Sequence, residues 1–221
     1  MTSTRSPLVC AFLIALSFLA VPAGSAKAAA PLPSSAADVT PVRSGERAPS
    51  FTVRTVDNEP FVFDPDRLAR PAVLISFRGG WCPYCNLHLS ELRHVIPQIR
   101  ALGYDVLFLS GDRPDQLYTS LRDDTKQDIE GRDYIILSDA DTEAAIALGT
   151  AFRIDKGLTD YLDGKQHDYR DSSIAKHEAL AVPAVYVVNR EGKIVFDFVN
   201  ADYKVRLPAD ELLAAAQRFA P

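Results

Sequence analysis

The stretch that most constrains this chain runs from "AVLISF" (Ala72–Phe77) through "RGGWCPYC" to "NLHLSEL". A continuous apolar run of this length is what a strand buried on both faces of a sheet requires. The residues after it change period. Leu87, Leu92, Val95, Ile96 and Ile99 recur at helical spacing, with a kink expected at Pro97 and an end at Gly103. A buried strand therefore delivers two cysteines, Cys82 and Cys85, to the start of a helix. Pro83 suits the first turn, where its missing N–H would have had no partner. Free N–H groups and the positive end of the helix dipole favour a thiolate at Cys82. Cys85, three residues on, shares a helix face with it, so the sulfurs can meet. Arg78 adds a cation if it points toward the strand end, and Trp81 is placed to pack over the pair.

The rest of the chain alternates strands with helices, the pattern of parallel βαβ units. Phe51–Val56 and Pro60–Phe63 form a hairpin about Asp57-Asn58. "YDVLFLS" and "DYIILSD" are further apolar strands. Helices are expected from Pro114 and over "DTEAAIALGT". Residues 153–180 have weak periodicity and much charge, and are expected as an irregular insertion with one helical turn. "AVYVVNREGKIVFDF" gives a closing hairpin and "PADELLAAAQRF" an amphipathic helix.

Only one domain of this kind fits the 221 residues. Arg5, the apolar run Leu8–Val21 and the small residues of "PAGSAKAAAP" form a secretory signal peptide over residues 1–28. The run is short of the roughly 20 apolar residues that span a bilayer. Residues 29–44 are rich in Ala, Pro and Ser and are expected as a flexible linker, with the domain over 45–221. A periplasmic or secreted location follows. Cleavage would remove Arg5, Lys27 and Cys10, leaving 22 basic against 29 acidic residues, a net charge of −7. Nothing in that balance suggests nucleic acid or an anionic membrane surface as a partner. A single remaining cysteine pair is not a disulfide-stapled scaffold, and a bridge closing so short a loop would stabilise little. The pair is chemistry.

"GERAPSFTV", "SFRGGWCPYCNLHLSEL", "VLFLSGDRPD", "LSDADTEAAIALG" and "DYKVRLPADELL", in this order, resemble the peroxiredoxin-like branch of the AhpC/TSA (alkyl hydroperoxide reductase/thiol-specific antioxidant) family. The resemblance implies a thioredoxin-like α/β fold: a mixed central sheet flanked by helices, with an N-terminal hairpin. It also implies that Val182-Pro183 is cis and faces the cysteine pair, with Pro183 shaping a substrate groove. The chain departs from the P-x-x-x-[TS]-x-x-C pattern of peroxide-reducing members. Counting back from Cys82, the two positions hold Ile75 and Gly79; from Cys85, Arg78 and Cys82.

The function expected first is thiol–disulfide exchange, with Cys82 attacking, Cys85 resolving, and a thiol or disulfide protein as partner. Hydroperoxide reduction is the alternative. A third possibility is a Cu(I)-binding chaperone, since soft thiolates select Cu(I). His88 completes C-x-x-C-x-x-H, and His167 and His177 lie in the insertion, but no tetrahedral ligand set is evident, so no metal and no cofactor are expected. His94 reads as a helix-surface residue.

Overall fold

The computed structural model describes residues 31–132 and 134–220. Residues 1–28, expected as a signal peptide, and the start of the expected linker therefore lie outside the described residues. The chain forms β1 (Phe51–Arg54), β2 (Pro60–Phe63), β3 (Ala72–Phe77), α1 (Pro83–Leu92), α2 (Ile96–Ala101), β4 (Asp105–Ser110), α3 (Asp123–Ile129) and β5 (Ile135–Ser138). It continues with α4 (Glu143–Ala147), β6 (Ala151–Arg153), α5 (Lys156–Gly164), α6 (Ser173–His177), β7 (Ala179–Ala181), β8 (Ala184–Val188), β9 (Ile194–Val199) and α7 (Ala209–Arg218). Seven strands make one mixed sheet in the order β2-β1-β5-β4-β3-β8-β9.

β3 is parallel to β4 and antiparallel to β8. All six of its residues are buried, as the apolar run required. Its alternation separates two cores. Val73, Ile75 and Phe77 pack with Leu89, Leu92, Ile96, Ile99 and Leu212 from α1, α2 and α7. Ala72 and Leu74 pack on the opposite face with Phe51, Phe63, Leu137 and Leu148.

Three expectations are corrected. The helix after the cysteines is not one kinked rod but two helices. Pro97 cannot donate to a carbonyl four residues back, and its ring would crowd Arg93. The chain therefore tightens through bonds from Arg93 N–H to Ser90 O (3.3 Å) and Val95 N–H to Leu92 O (3.0 Å), and restarts with Pro97 in the first turn of α2.

The insertion is ordered. β6 and β7 pair antiparallel, Phe152 opposite Leu180, and close a loop that carries α5 and α6. The Asp155 carboxylate caps α5 by accepting the Leu158 N–H at 3.1 Å. Leu162 of α5 and Ile174 of α6 are buried. So few buried positions give little periodicity to read.

Residues 32–44, expected as linker, lie along the domain. Arg153 N–H donates to Pro33 O (2.7 Å), Val42 N–H to Leu148 O (3.1 Å) and Ser44 N–H to the Asp197 carboxylate (2.7 Å). Gly149, at φ +67, makes that approach possible, since a Cβ there would sit 2.1 Å from Thr40 O.

Candidate active site

Cys82 is the N-cap of α1, in extended backbone, and Pro83 holds the first helical position. The loop before it is fixed from both sides. The buried Asp112 carboxylate accepts the Gly80 N–H at 2.7 Å and the hydroxyls of Ser120 (3.0 Å) and Ser110 (3.2 Å). The Asn86 amide donates to Gly80 O (2.6 Å) and Cys82 O (3.0 Å), while its oxygen accepts the Arg122 N–H (2.9 Å). Gly79 is at φ +150, and a Cβ there would lie 2.4 Å from Trp81 Nε1 and 2.7 Å from Asp112 Oδ1. This crowding gives a physical reason for the missing hydroxyl three residues before Cys82: the loop has no room for a threonine or serine side chain.

Both sulfurs are unbridged. A reactive thiol at a helix start is expected to face solvent, but Cys82 is 1% exposed, as is Cys85. The loop, Trp81 and the helix cover it, because the strand that delivers it ends inside the core. Cys82 nonetheless lines a cavity of about 390 Å³ with Arg78, Trp81, Tyr84, Leu158, Tyr161 and Tyr203 among its walls.

The two thiols are pushed in opposite directions. Cys82 is drawn down to about 6, chiefly by a hydrogen bond from the Cys85 thiol. Burial opposes this, and the charge of Arg78, the Cys85 N–H and the charge of Arg206 assist it. Burial pushes Cys85 well up, and its neighbour Cys82 adds to the effect. Near neutral pH the pair is thus one thiolate and one thiol, with the proton on Cys85.

Arg78 lines the same cavity as Cys82. Its guanidinium carbon lies 5.0 Å from the Trp81 ring and 4.5 Å from that of Tyr203. Trp81 packs in the same cluster as both cysteines.

Pro183 is not where the resemblance placed it. Among the described residues no peptide bond is cis, so Val182-Pro183 is trans. Trans is favoured by about 0.5–1 kcal/mol before proline. Here Ser76 holds the segment from both sides of the ring: its hydroxyl donates to Val182 O (3.3 Å) and accepts the Ala184 N–H (3.1 Å). Pro183 lines a separate small cleft with His88 and Arg206, not the cavity over Cys82.

His88 is buried, and its Nε2 is 3.1 Å from Leu207 O. Burial, then the nearby charge of Arg206, push the imidazole down to about 4, so it is neutral. Among the described residues no three His, Cys, Asp or Glu side chains group as metal ligands do.

Arg206 is the site residue that motif reasoning missed. Its Nη2 donates to Cys85 Sγ at 3.4 Å, although 121 residues separate them in sequence. Its one local signal is a lone arginine in an otherwise apolar stretch between β9 and α7, "VRLP".

A dithiol at the junction of a central strand and the helix after it, one sulfur ionised and the other not, defines a thioredoxin-like thiol oxidoreductase. The AhpC/TSA family model matches residues 44–197, and the chain belongs to this family. Solved structures with the same fold include Peroxidoxin BcpB from Mycobacterium tuberculosis, at 16% identity over 81% of this chain and 99% of that one, with a TM-score of 0.56. Reduced Prx3 from Vibrio vulnificus, in complex with H2O2, matches at 16% identity over 79% of this chain and 99% of that one, TM-score 0.59. A mutant of Peroxiredoxin 6 of Arenicola marina matches at 17% identity over 80% and 72%, TM-score 0.61. No curated protein is detectably similar in sequence.

Proposed function

We propose that the chain cycles Cys82 and Cys85 between dithiol and disulfide. The Cys82 thiolate attacks a sulfur of a substrate disulfide and expels one substrate thiolate. Cys85, losing its proton to that leaving group or to water, then attacks the Cys82 sulfur. The second substrate thiol leaves, and the intramolecular disulfide remains. An external thiol partner restores the dithiol. The observation that carries this reading is the placement of the two thiols, Cys82 at the start of α1 and open to the cavity, Cys85 one turn in and held by Arg206, with their acidities displaced in opposite directions.

The near-complete burial of Cys82 favours a second reading, in which the oxidant is a hydroperoxide. A small molecule reaches a covered sulfur more readily than a protein disulfide does. The thiolate would attack the outer oxygen, giving a sulfenic acid and an alcohol. Cys85 would then condense with the sulfenic acid and release water. Against this reading, Gly79 supplies no hydroxyl to bind the peroxide.

Stopped-flow mixing of the reduced protein with hydrogen peroxide, and separately with a protein disulfide, distinguishes the two. Thiol–disulfide exchange is expected to be fast with disulfide and slow with peroxide. Fast peroxide consumption, with a sulfenic acid trapped in Cys85→Ser, would establish the second reading.

The reading also includes export, on the grounds of Arg5, the Leu8–Val21 run and the A-x-A sites at Ala26–Ala28 and Ala28–Ala30. Intact mass of protein recovered from the periplasm is expected to begin near Ala29 or Pro31. A mass that retains residues 1–28 would end that part of the proposal.

A further inference from the structure

The cavity over Cys82 has a composition that the thiol chemistry alone does not require. Its volume of about 390 Å³ lies within the range of small-molecule sites, about 300–1,000 Å³. One wall is α5, through Gly157, Leu158 and Tyr161, so the insertion builds part of the site. Tyr84 and Tyr203, edge to face at 5.7 Å, supply aromatic surface elsewhere in it. Among the described residues no Asp or Glu lines it, and Arg78 is its one lysine or arginine. The Arg78 guanidinium carbon lies over the rings of Trp81 and Tyr203, while its Nε is buried with no hydrogen-bond partner. A guanidinium held against two rings with a donor left unpartnered suits recognition of a carboxylate.

We infer that this cavity is a substrate site for a low-molecular-weight oxidant with an aromatic or apolar body and an anionic group. Arg78 binds the anion, and Leu158 and Tyr161 of α5 set the size and shape accepted. The inference rests on the proposed attack by Cys82, which lines the cavity. The oxidant's S–S or O–O bond is the one broken. With a small disulfide, two thiols are released as the protein dithiol becomes a disulfide.

The test uses two aromatic disulfides of similar size: dithiobis(nitrobenzoic acid), which carries carboxylates, and dithiodipyridine, which is neutral. Thiolate release is followed by stopped flow. Arg78→Gln raises the Cys82 pKa and slows both probes alike, so the ratio of the two rates isolates anion binding. That ratio is expected to fall about tenfold, the scale of one lost charge-assisted hydrogen bond. Leu158→Trp and Tyr161→Trp, which narrow the cavity, are expected to slow both aromatic probes severalfold and to slow labelling by the smaller iodoacetamide much less. A protein disulfide such as insulin is expected to react more slowly than either aromatic probe in the wild type.

An unchanged ratio in Arg78→Gln, an iodoacetamide rate that falls with the others in both α5 variants, or insulin reacting fastest would each overturn the inference. Failure of the redox cycle itself would look different: one equivalent of thiolate released per protein instead of two, whatever the probe preference. A reaction with organic hydroperoxides that bear a carboxylate, showing the same dependence on Arg78, would identify the O–O bond as the natural target.

Discussion

Cys85→Ser is expected to stop the reaction halfway and to accumulate a covalent adduct on Cys82, visible by mass as protein plus one substrate thiol. Cys82→Ser is expected to form no adduct and no intramolecular disulfide. The asymmetry follows from the proton sitting on Cys85 while Cys82 is ionised. Adduct formation by Cys85→Ser at Cys82 with none by Cys82→Ser is the required pattern; the reverse would exchange the roles.

The pH dependence carries the same information. Alkylation of Cys82 in the wild type is expected to rise through a midpoint near pH 6 and level off above it, because the thiolate is the reactive form. Cys85→Ala removes the hydrogen-bond donor that is the largest cause of that depression, and Arg78→Gln removes the largest charge contribution, so both midpoints move upward. The gain in rate at pH 7 is smaller than the gain in thiolate. Lowering a thiol from 9 to about 6 raises its ionised fraction roughly 90-fold, but weakens the nucleophile about 20-fold at a Brønsted slope of about 0.45. The larger benefit is in the leaving group. A Cys82 sulfur of low basicity departs readily when a thiolate attacks the substrate sulfur of a mixed disulfide held on Cys82.

Asp112→Ala is expected to destabilise the fold by about 3 kcal/mol and to disorganise the loop that carries Cys82. Asp112 is 3% exposed, and its side chain accepts one backbone N–H and two hydroxyls. A buried donor left unsatisfied costs about 1–3 kcal/mol. For a domain of this size, 3 kcal/mol corresponds to about 6–12 °C in Tm. Burial raises the carboxyl's own pKa against those hydrogen bonds, so part of what the alanine loses is regained by not burying a charge. Asp112→Asn keeps an acceptor for Gly80 N–H and is expected to lose less. Thermal unfolding of both variants, alongside the Cys82 alkylation midpoint, measures the two effects. A Tm within about 2 °C of wild type for Asp112→Ala would show that Gly80 does not depend on this carboxylate.

Local sequence determined the parts of the molecule whose physics is local. The run Ala72–Phe77 has one use, a strand buried on both faces, and its bounds are those observed. The helix start at Pro83 follows from a residue that lacks an N–H and has a preset φ. The i, i+3 spacing of Cys82 and Cys85 follows from helix geometry, and so does the advantage of Cys82 at the helix start.

Tertiary structure decided the rest, because the causes lie far apart along the chain. Cys82 is covered because the core closes over the end of β3, which no property of "WCPYC" records. Arg206 reaches Cys85 because β9 returns the chain beside β8, and β8 beside β3. Val182-Pro183 is trans in a segment that a serine on β3 holds from both sides, a partner 106 residues upstream of Val182. The insertion became a wall of the cavity because β6 and β7 pair and anchor α5 through one buried leucine, too little apolar periodicity to show in the sequence. Residue types and short spacings placed two reactive sulfurs at a helix start. The distances that protonate one, ionise the other and shape the space above them exist only once the strands are side by side.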